Sequence, residues 1–347
     1  MSVRKLFVLL AVSLLAAGCS GGTDEPSVDE LTLMTHDSFA LSEGILEEFA
    51  AGTGITVNVL NSGDAGAMLS QAILTKGNPI ADVIYGVDNT FLSRAISEGV
   101  FVEYESELLD DVPADLIVDP HVTPINFGDV CVNYDRSAFE SIPAPQSLAD
   151  LTDPRYRDML VVQDPASSSP GLAFLLATIG TFGDDGAYTW RNYWADLKEN
   201  GVLVASGWTE AYTSEFTAGG GGGDRPIVVS YASSPAVGVY FTDPPPAEAP
   251  TASMLEGCFR QVEYAGIVDG TSHPAAARLL IDFLLSKTVQ EDIPLNMFVF
   301  PANQQAALPQ VFIDHGQIAA KPATLSPEMI AAERDGWIAA WGEVVVR

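Results

Sequence analysis

Positive charge is scarce in this 347-residue chain. It contains 16 lysine and arginine residues against 46 aspartate and glutamate residues, so its formal net charge is −30 at pH 7. This balance excludes nucleic acid as a partner, because phosphate backbones are bound mainly through lysine and arginine. The excess of acidic residues is typical of a solvated acidic surface, and it would also suit a cationic ligand.

Cysteine is equally scarce, with only Cys19, Cys131 and Cys258 present. None of the three has the spacing of a metal site, and no cluster of histidine and glutamate has such spacing either. The sequence also lacks the Gly-x-Ser-x-Gly motif that positions a serine nucleophile. We therefore expect neither a metal nor a catalytic centre, and we expect Cys131 and Cys258 to form one disulfide if the protein is exported.

The first 19 residues are predicted to be a targeting segment and not part of the fold. Arg4 and Lys5 precede an apolar run at residues 6–17, which is shorter than the roughly 20 residues of a membrane-spanning helix. The run ends in Leu-Ala-Ala-Gly-Cys, which resembles the lipobox of bacterial lipoproteins, where the cysteine is lipidated. We expect export and membrane anchoring through Cys19, with residues 20–29 as a flexible tether. An ordinary signal peptide cut near residue 17 is the alternative.

Short apolar strands alternate with helical segments along the rest of the chain. This alternation predicts a parallel α/β sheet covered by helices, with ligands bound near the carboxyl ends of the strands. About 320 residues exceed one ordinary core, so we expect two lobes. The predicted boundaries are residues 30–129 with 262–292 for the first lobe and 130–261 with 293–347 for the second. The disulfide should join the strands that cross between the lobes.

The stretch 207–237 has the residues most typical of a ligand site. Trp208 lies near its start, Tyr231 follows an apolar strand, and Ser233-Ser234-Pro235 comes next. A serine before proline predicts a capped helix start with free backbone N–H groups, and the same pattern occurs at Ser168-Ser169-Pro170. We therefore expect a small-ligand cleft that can bind an anion. The glycine-rich segment 218–224 lacks the lysine of a phosphate loop and predicts a mobile surface loop.

Several motifs, in chain order, resemble those of the thiamine-binding members of the two-lobed solute-binding proteins. They lie at residues 35–39, 81–89, 163–165 with 168–172, 207–212, 230–231 with 233–236, and 293–301. The resemblance covers nearly all of the chain after residue 30. It implies a two-lobed α/β fold of the type II periplasmic-binding-protein kind, with two crossover strands as its hinge. It also implies a monomer without enzyme activity or cofactor, which closes over its ligand and docks to an ABC permease driven by an ATPase.

The ligand implied by this resemblance is thiamine, thiamine monophosphate or thiamine diphosphate. Its expected contacts, with His36 and Phe298 added from positions where the family carries aromatic residues, are Asp64, Ala65, Ser168, Ser169, Trp208, Tyr231, Ala232, Ser233, Ser234, His36 and Phe298. Because the family's tyrosine after Ser-Pro-Ala is Val237 here, the aromatic cage should be thinner. Trp208, Tyr231 and Phe298 could still hold a flat cation by stacking and cation–π contact.

Other ligands and another class of protein stay open at this stage. A polyamine or similar organic cation would also use Trp208 together with carboxylates such as Glu210, Asp64 and Asp88. Ferric-iron binders of the same class use adjacent tyrosines, and Ala232 after Tyr231 argues against iron. A hydrolase built on His36 is the least favoured alternative.

Overall fold

The structure, a computed structural model, describes residues 28–346. The predicted leader, Cys19 and most of the predicted tether lie outside the described residues. The strands are β1 (Glu30–Thr35), β2 (Thr56–Asn61), β3 (Val83–Asp88), β4 (Phe101–Val102), β5 (Thr123–Asp135), β6 (Leu160–Gln163), β7 (Leu203–Ala205), β8 (Ile227–Tyr231), β9 (Thr251–Val268) and β10 (Phe300–Pro301). The helices are α1 (Ile45–Thr53), α2 (Ala65–Leu74), α3 (Leu92–Ser97), α4 (Ser169–Phe182), α5 (Trp190–Glu199), α6 (Pro235–Tyr240), α7 (Pro274–Leu285), α8 (Lys287–Asn296), α9 (Gln310–His315) and α10 (Pro327–Val345).

All of these strands belong to one 10-stranded sheet with the central order β2-β1-β3-β9-β5-β8-β6-β7. Strand β1 pairs in parallel with β2 and β3, and β6 pairs in parallel with β7 and β8. These two parallel groups correspond to the two sets of alternating strands and helices predicted from the sequence. The exact lobe boundaries stay a prediction. Within residues 28–346, no helix is both long enough and apolar enough to cross a membrane.

The two parallel groups are connected by the long antiparallel strands β5 and β9. Strand β9 pairs with β3 through its C-terminal part and with β5 along most of its length. The apolar pattern predicts only residues 129–134 and 257–267 as strands here, and both observed strands are longer. The added part of β5 contains Asn126 and the added part of β9 contains Ser253, and such polar residues interrupt the apolar pattern that marks a strand.

Cys131 in β5 and Cys258 in β9 form a disulfide in the structure, which agrees with the pairing predicted from the sequence. Both residues are buried, and they pack with Ala232 and Ala319. The bond lies where the register of the β5–β9 pair shifts. It therefore links the two strands that connect the parallel groups, as expected.

Helix α4 is buried on nearly every side, and its N-terminus lies next to the end of β6. Its residues from Ser169 to Ile179 are all buried, as expected for a helix that is apolar all round. A Cβ atom on Gly171 would lie 2.6 Å from the carbonyl oxygen of Gln163. Glycine at this position therefore lets the first turn of α4 approach the end of β6 closely.

Two other sequence predictions have different outcomes. Helical spacing after Ser326 predicts that Trp337 and Trp341 lie on the apolar side of the last helix, and both are buried in the core. The glycine-rich segment 218–224, in contrast, packs on the π-helical turn Glu210–Glu215. A Cβ atom on Gly219 or Gly221 would collide with the carbonyl oxygen of Tyr212 or Thr213, respectively. Residues 218, 220–222 and 224 are exposed, as predicted for a surface loop, and the mobility of the loop stays a prediction.

Candidate functional site

A cavity of about 280 Å³ lies between the two parallel groups of strands. Residues from both groups line it, as expected for a ligand site at the carboxyl ends of strands. The lining residues are His36, Ser38, Asp64, Ser169, Pro170, Trp208, Tyr212, Thr213, Gly219, Tyr231, Ser234, Val237, Phe241, Glu263, Asn296, Met297, Phe298 and Val299. Among these described lining residues, none is a lysine or arginine.

Most of the predicted ligand contacts are brought together in this wall. His36, Asp64, Ser169, Trp208, Tyr231, Ser234 and Phe298 line the cavity. The others, Ala65, Ser168, Ala232 and Ser233, are buried behind the wall and are not among the lining residues. Their contact with a ligand stays a prediction.

Trp208 and Tyr212 form a stacked aromatic pair in the wall. Their rings stack with centroids 4.9 Å apart and planes at 14°. The indole Nε1 of Trp208 donates a hydrogen bond of 2.9 Å to the hydroxyl of Ser230. The ring is therefore fixed on one face and at its polar edge, and it is only half-buried. Such a fixed aromatic surface can stack on a flat heteroaromatic ligand.

Asp64 joins the two parallel groups across the cleft. It caps α2, where its Oδ1 accepts a hydrogen bond of 2.7 Å from the backbone N–H of Ala65. The same oxygen accepts one of 3.2 Å from the N–H of Ser169, and Oδ2 accepts one of 2.9 Å from the N–H of Trp208. Burial raises the pKa of Asp64 even though these hydrogen bonds favour its charged form. The Asp64 carboxylate therefore links the two sides of the cleft, and we call this set of hydrogen bonds the Asp64 clasp.

The clasp changes the interpretation of the first Ser-Ser-Pro motif. Ser168 is the N-cap of α4, and its hydroxyl accepts a hydrogen bond from the N–H of Gly171. Pro170 is thus the second helical residue and not the first. The N–H of Ser169 already faces the Asp64 carboxylate. The expectation of a free anion site at this helix start is therefore not supported, because an acidic side chain of the protein occupies it.

The second Ser-Ser-Pro motif does not form a capped helix start. Helix α6 has only 6 residues, and the Ser234 side chain caps none of its N–H groups. Its hydroxyl lies 2.8 Å from that of Ser230 and accepts a hydrogen bond from the N–H of Tyr231. The Ser233 hydroxyl donates to the carbonyl oxygen of Phe298. The predicted cap is therefore wrong, and these serines instead fix the strand end and the Phe298 segment, whereas anion binding here stays a prediction.

His36 and Glu263 form the polar side of the cavity. His36 Nε2 lies 3.3 Å from Glu263 Oε1. The other oxygen of Glu263 accepts hydrogen bonds from Asn126 Nδ2 at 2.8 Å and from the Tyr85 hydroxyl at 3.3 Å. Burial alone would raise the pKa of Glu263, but His36 and these hydrogen bonds lower it below its ordinary value. Glu263 is therefore an ionised carboxylate in the cavity wall.

A second polar network lies behind Tyr231. The Tyr231 hydroxyl donates a hydrogen bond of 2.6 Å to Gln261 Oε1. The amide nitrogen of Gln261 donates to Asp88 Oδ2 at 2.9 Å and to the Ser169 hydroxyl at 2.8 Å. Burial raises the pKa of Asp88 to about 7. This network holds Tyr231 in place and connects β3, β9 and α4.

Sequence analysis missed Glu263, Gln261 and Asn126. All of them lie inside long strands and not at strand ends, where we expected the site. The sequence does contain an indication of them, since polar side chains recur within the otherwise apolar strands at 123–135 and 251–268. A buried polar residue in a central strand needs a partner, which in this fold is supplied at the cleft.

Comparison with known proteins agrees with this architecture. Residues 78–315 match the family described as bacterial extracellular solute-binding protein. The thiamine-binding periplasmic protein of Escherichia coli is 29% identical over 330 residues, covering 91% of this chain and 94% of the relative. That of Brucella abortus is 30% identical over 321 residues, covering 90% and 91%.

A solved structure of a periplasmic thiamin binding protein is similar throughout. It superimposes with a TM-score of 0.80 at 27% identity and covers 92% of this chain and 96% of that protein. This likeness confirms the predicted two-lobed α/β fold of type II, with β5 and β9 as its crossover strands. The chain therefore belongs to the bacterial extracellular solute-binding proteins.

Proposed function

We propose that this protein binds thiamine in the cleft between its lobes and delivers it to the permease of an ABC importer. The observation that carries the proposal is the combination of the stacked Trp208–Tyr212 surface with the carboxylates Asp64 and Glu263 in one cavity. An aromatic face attracts a cationic ring, and the carboxylates complement its charge. The thiamine-binding proteins among its relatives support the same ligand.

In this proposal the protein is a carrier and not an enzyme. It closes over the ligand and docks to the permease, whose ATPase drives import. Only a difference in ligand affinity between the open and closed forms can shift the protein toward the closed form. The Asp64 carboxylate adds to the intrinsic stability of the closed form, because it accepts hydrogen bonds from Ser169 and Trp208 on the other side of the cleft. We expect the carrier to work as a monomer.

The proposal is tested by titrating the purified protein with thiamine, thiamine monophosphate, thiamine diphosphate, spermidine and ferric citrate. Intrinsic tryptophan fluorescence is the readout, since Trp208 lines the cavity. Saturable quenching by thiamine at micromolar concentration or below supports the function. A response to spermidine or ferric citrate without a response to thiamine would overturn it.

Another organic cation, such as a polyamine, is the second candidate, because Asp64 and Glu263 line the cavity. Two of the carboxylates that were expected to bind a polyamine form hydrogen bonds with other residues of the protein instead. Glu210 binds the N–H and hydroxyl of Ser206, and Asp88 is fully buried beside Gln261. The remaining carboxylates lie next to aromatic rings, which suits a flat cation better than an aliphatic one.

The phosphate esters should bind more weakly than thiamine itself. A phosphate at the start of α4 would face the Asp64 carboxylate, and among the described lining residues there is no lysine or arginine to offset the repulsion. We expect affinity to fall from thiamine to the monophosphate and again to the diphosphate, by about tenfold or more in total. Isothermal titration calorimetry with the three ligands checks this order. Tighter binding of the diphosphate would contradict it and would restore the anion-binding role of Ser169.

We further propose that the mature protein is held at the membrane through a lipid on Cys19, outside the cytoplasm or in the periplasm. The support is the Leu-Ala-Ala-Gly-Cys sequence that ends the apolar run. Replacement of Cys19 by serine should move the protein from the membrane fraction to the soluble exported fraction. The neighbouring Ser20→Ala variant is the control and should stay in the membrane fraction. If the Cys19 variant stays there as well, the lipid anchor is wrong.

A further inference from the structure

The polar side of the cavity contains the pair His36 and Glu263, and the proposed function gives His36 no role. His36 follows β1 and Glu263 lies in β9, and each side chain is only 9% exposed. Within the described part of the chain, His36 Nε2 has no hydrogen-bond partner of good geometry, although it lies 3.3 Å from Glu263 Oε1. A buried polar atom left in this way at a cavity wall indicates a partner that is supplied from outside.

We propose that Glu263 is the carboxylate that recognises the cationic ligand, and that the ligand replaces a proton which His36 holds in the empty protein. The inference rests on the proposed binding of a cation such as thiamine in this cleft. It adds a specificity-determining residue and a proton released to solvent when the ligand enters. No bond other than the N–H bond of His36 is broken.

Glu263 is built to present one oxygen to the cavity. Its Oε2 is held from behind by Asn126 Nδ2 and the Tyr85 hydroxyl, whereas Oε1 faces His36. A buried carboxylate without a compensating charge is costly. In the empty protein, protonated His36 supplies that charge. In the loaded protein, the ligand's ring cation or amino group supplies it, and the imidazole can lose its proton.

The surroundings of the pair favour this exchange. Burial alone would lower the pKa of His36, but the Glu263 carboxylate raises it above its ordinary value. The carboxylates of Asp64 and Asp37 act in the same direction. The titratable groups that face the pair from all neighbouring elements are Asp37, Asp64, Tyr85, Asp88 and Tyr231. Of these, Asp88 titrates near neutral pH, so its effect must be separated from that of His36.

The His36 proton and the cationic ligand compete for the Glu263 carboxylate, so ligand affinity depends on pH. Below the raised pKa, His36 is protonated in the empty protein and must give up its proton to admit the cation. Above that pKa the imidazole is already neutral, and the ligand binds without this cost. Affinity for a permanently cationic ligand should therefore rise as pH increases, by about tenfold between about pH 6 and pH 8.

Direct observation of His36 provides the test. The chain has only 4 histidines, so NMR of protein labelled in its histidine rings resolves them individually, and the His36→Gln variant assigns the His36 signal. Addition of thiamine at neutral pH should move this signal from the protonated to the neutral position and lower the pKa of His36 by at least about one unit. His121, which is paired with Asp119 far from the cavity, serves as the internal control and should not move.

Three variants that replace a carboxylate by an amide separate the possible outcomes. In Glu263→Gln, His36 should be neutral before ligand is added, and affinity should fall at least about tenfold. Glu256→Gln, also in β9 but outside this cavity, should leave both unchanged. The melting temperature of each ligand-free variant confirms folding. In Asp88→Asn, the His36 signal should still respond to thiamine, which excludes Asp88 as the source of the proton.

The inference and the proposed function fail in different ways. If thiamine binds but His36 stays protonated, or was neutral in the empty protein at pH 6, the proton exchange is wrong and the function stands. If thiamine does not bind, the function is wrong. The same titration with whichever cation does bind then decides the role of the pair, and a protein that binds no cation overturns both.

Discussion

Replacement of Trp208 by alanine should weaken thiamine binding by about 2 to 4 kcal/mol, as expected for truncation of an aromatic anchor in a cleft. The indole lines the cavity, stacks on Tyr212 and is oriented by its hydrogen bond to Ser230. Its loss removes the stacking surface and leaves a space next to Tyr212 that water can enter. Titration calorimetry on the variant and the original protein measures the change, which corresponds to a rise in Kd of roughly 30-fold to 900-fold.

Trp337 provides a reciprocal control for this experiment. It is 4% exposed in the core and lies in α10, away from the cavity. Trp337→Ala should lower the melting temperature and leave affinity nearly unchanged at low temperature. Trp208→Ala should do the opposite, with a fall in melting temperature of no more than about 4 °C. Early unfolding with normal affinity in Trp208→Ala would assign this tryptophan to the core and transfer the binding role to Tyr231 and Phe298.

Removal of the disulfide should have the largest effect on folding stability. Cys131 and Cys258 are separated by 127 positions, and closing a loop of that length stabilises by up to about 5 kcal/mol in the chain-entropy model. The double variant Cys131→Ala with Cys258→Ala should therefore unfold at a much lower urea concentration. Urea titration of the oxidised protein, the reduced protein and the double variant measures this loss.

The native state should change little, because β5 and β9 remain paired on both sides of the bond. Ligand affinity of the double variant should therefore stay close to that of the oxidised protein at low temperature. Thiol titration of the denatured, unreduced protein provides an independent check. Two free thiols in that sample would show that the bond does not form, and equal urea stability with and without reductant would show that it contributes nothing.

The sequence predicted the two parallel groups of strands well, because alternation of apolar strands and amphipathic helices has a physical cause that acts locally. The tryptophan side of α10 was likewise predictable from helical spacing. The hinge strands β5 and β9 were predicted too short, since polar residues such as Asn126 in β5 and Ser253 in β9 interrupt the apolar pattern and are satisfied by contacts between distant segments. Local periodicity contains no information on such contacts.

In the candidate site, too, some residues could be predicted from the local sequence and others depend on contacts between distant segments. Trp208 and Tyr231 could be proposed from their positions just after apolar strands, and the structure places both in the cavity wall. The role of Asp64 could not, because its carboxylate binds N–H groups that are more than a hundred positions away in the chain. The Ser-Ser-Pro motifs were misleading for a related reason. Capping depends on which backbone N–H the serine hydroxyl binds. The Ser234 hydroxyl binds the N–H of Tyr231 in β8 and not an N–H of its own helix.

The position of β9 in the sheet also governs the order in which the protein can fold during synthesis. Within the described residues, β3 and β5 are not paired with each other, and β9 lies between them. Until Thr251–Val268 has been made, the nascent chain holds two separate strand groups with open edges and no shared core. The sheet can close only when this late segment is inserted between them. The two strand groups can therefore be joined into one sheet only after most of the chain has been synthesised.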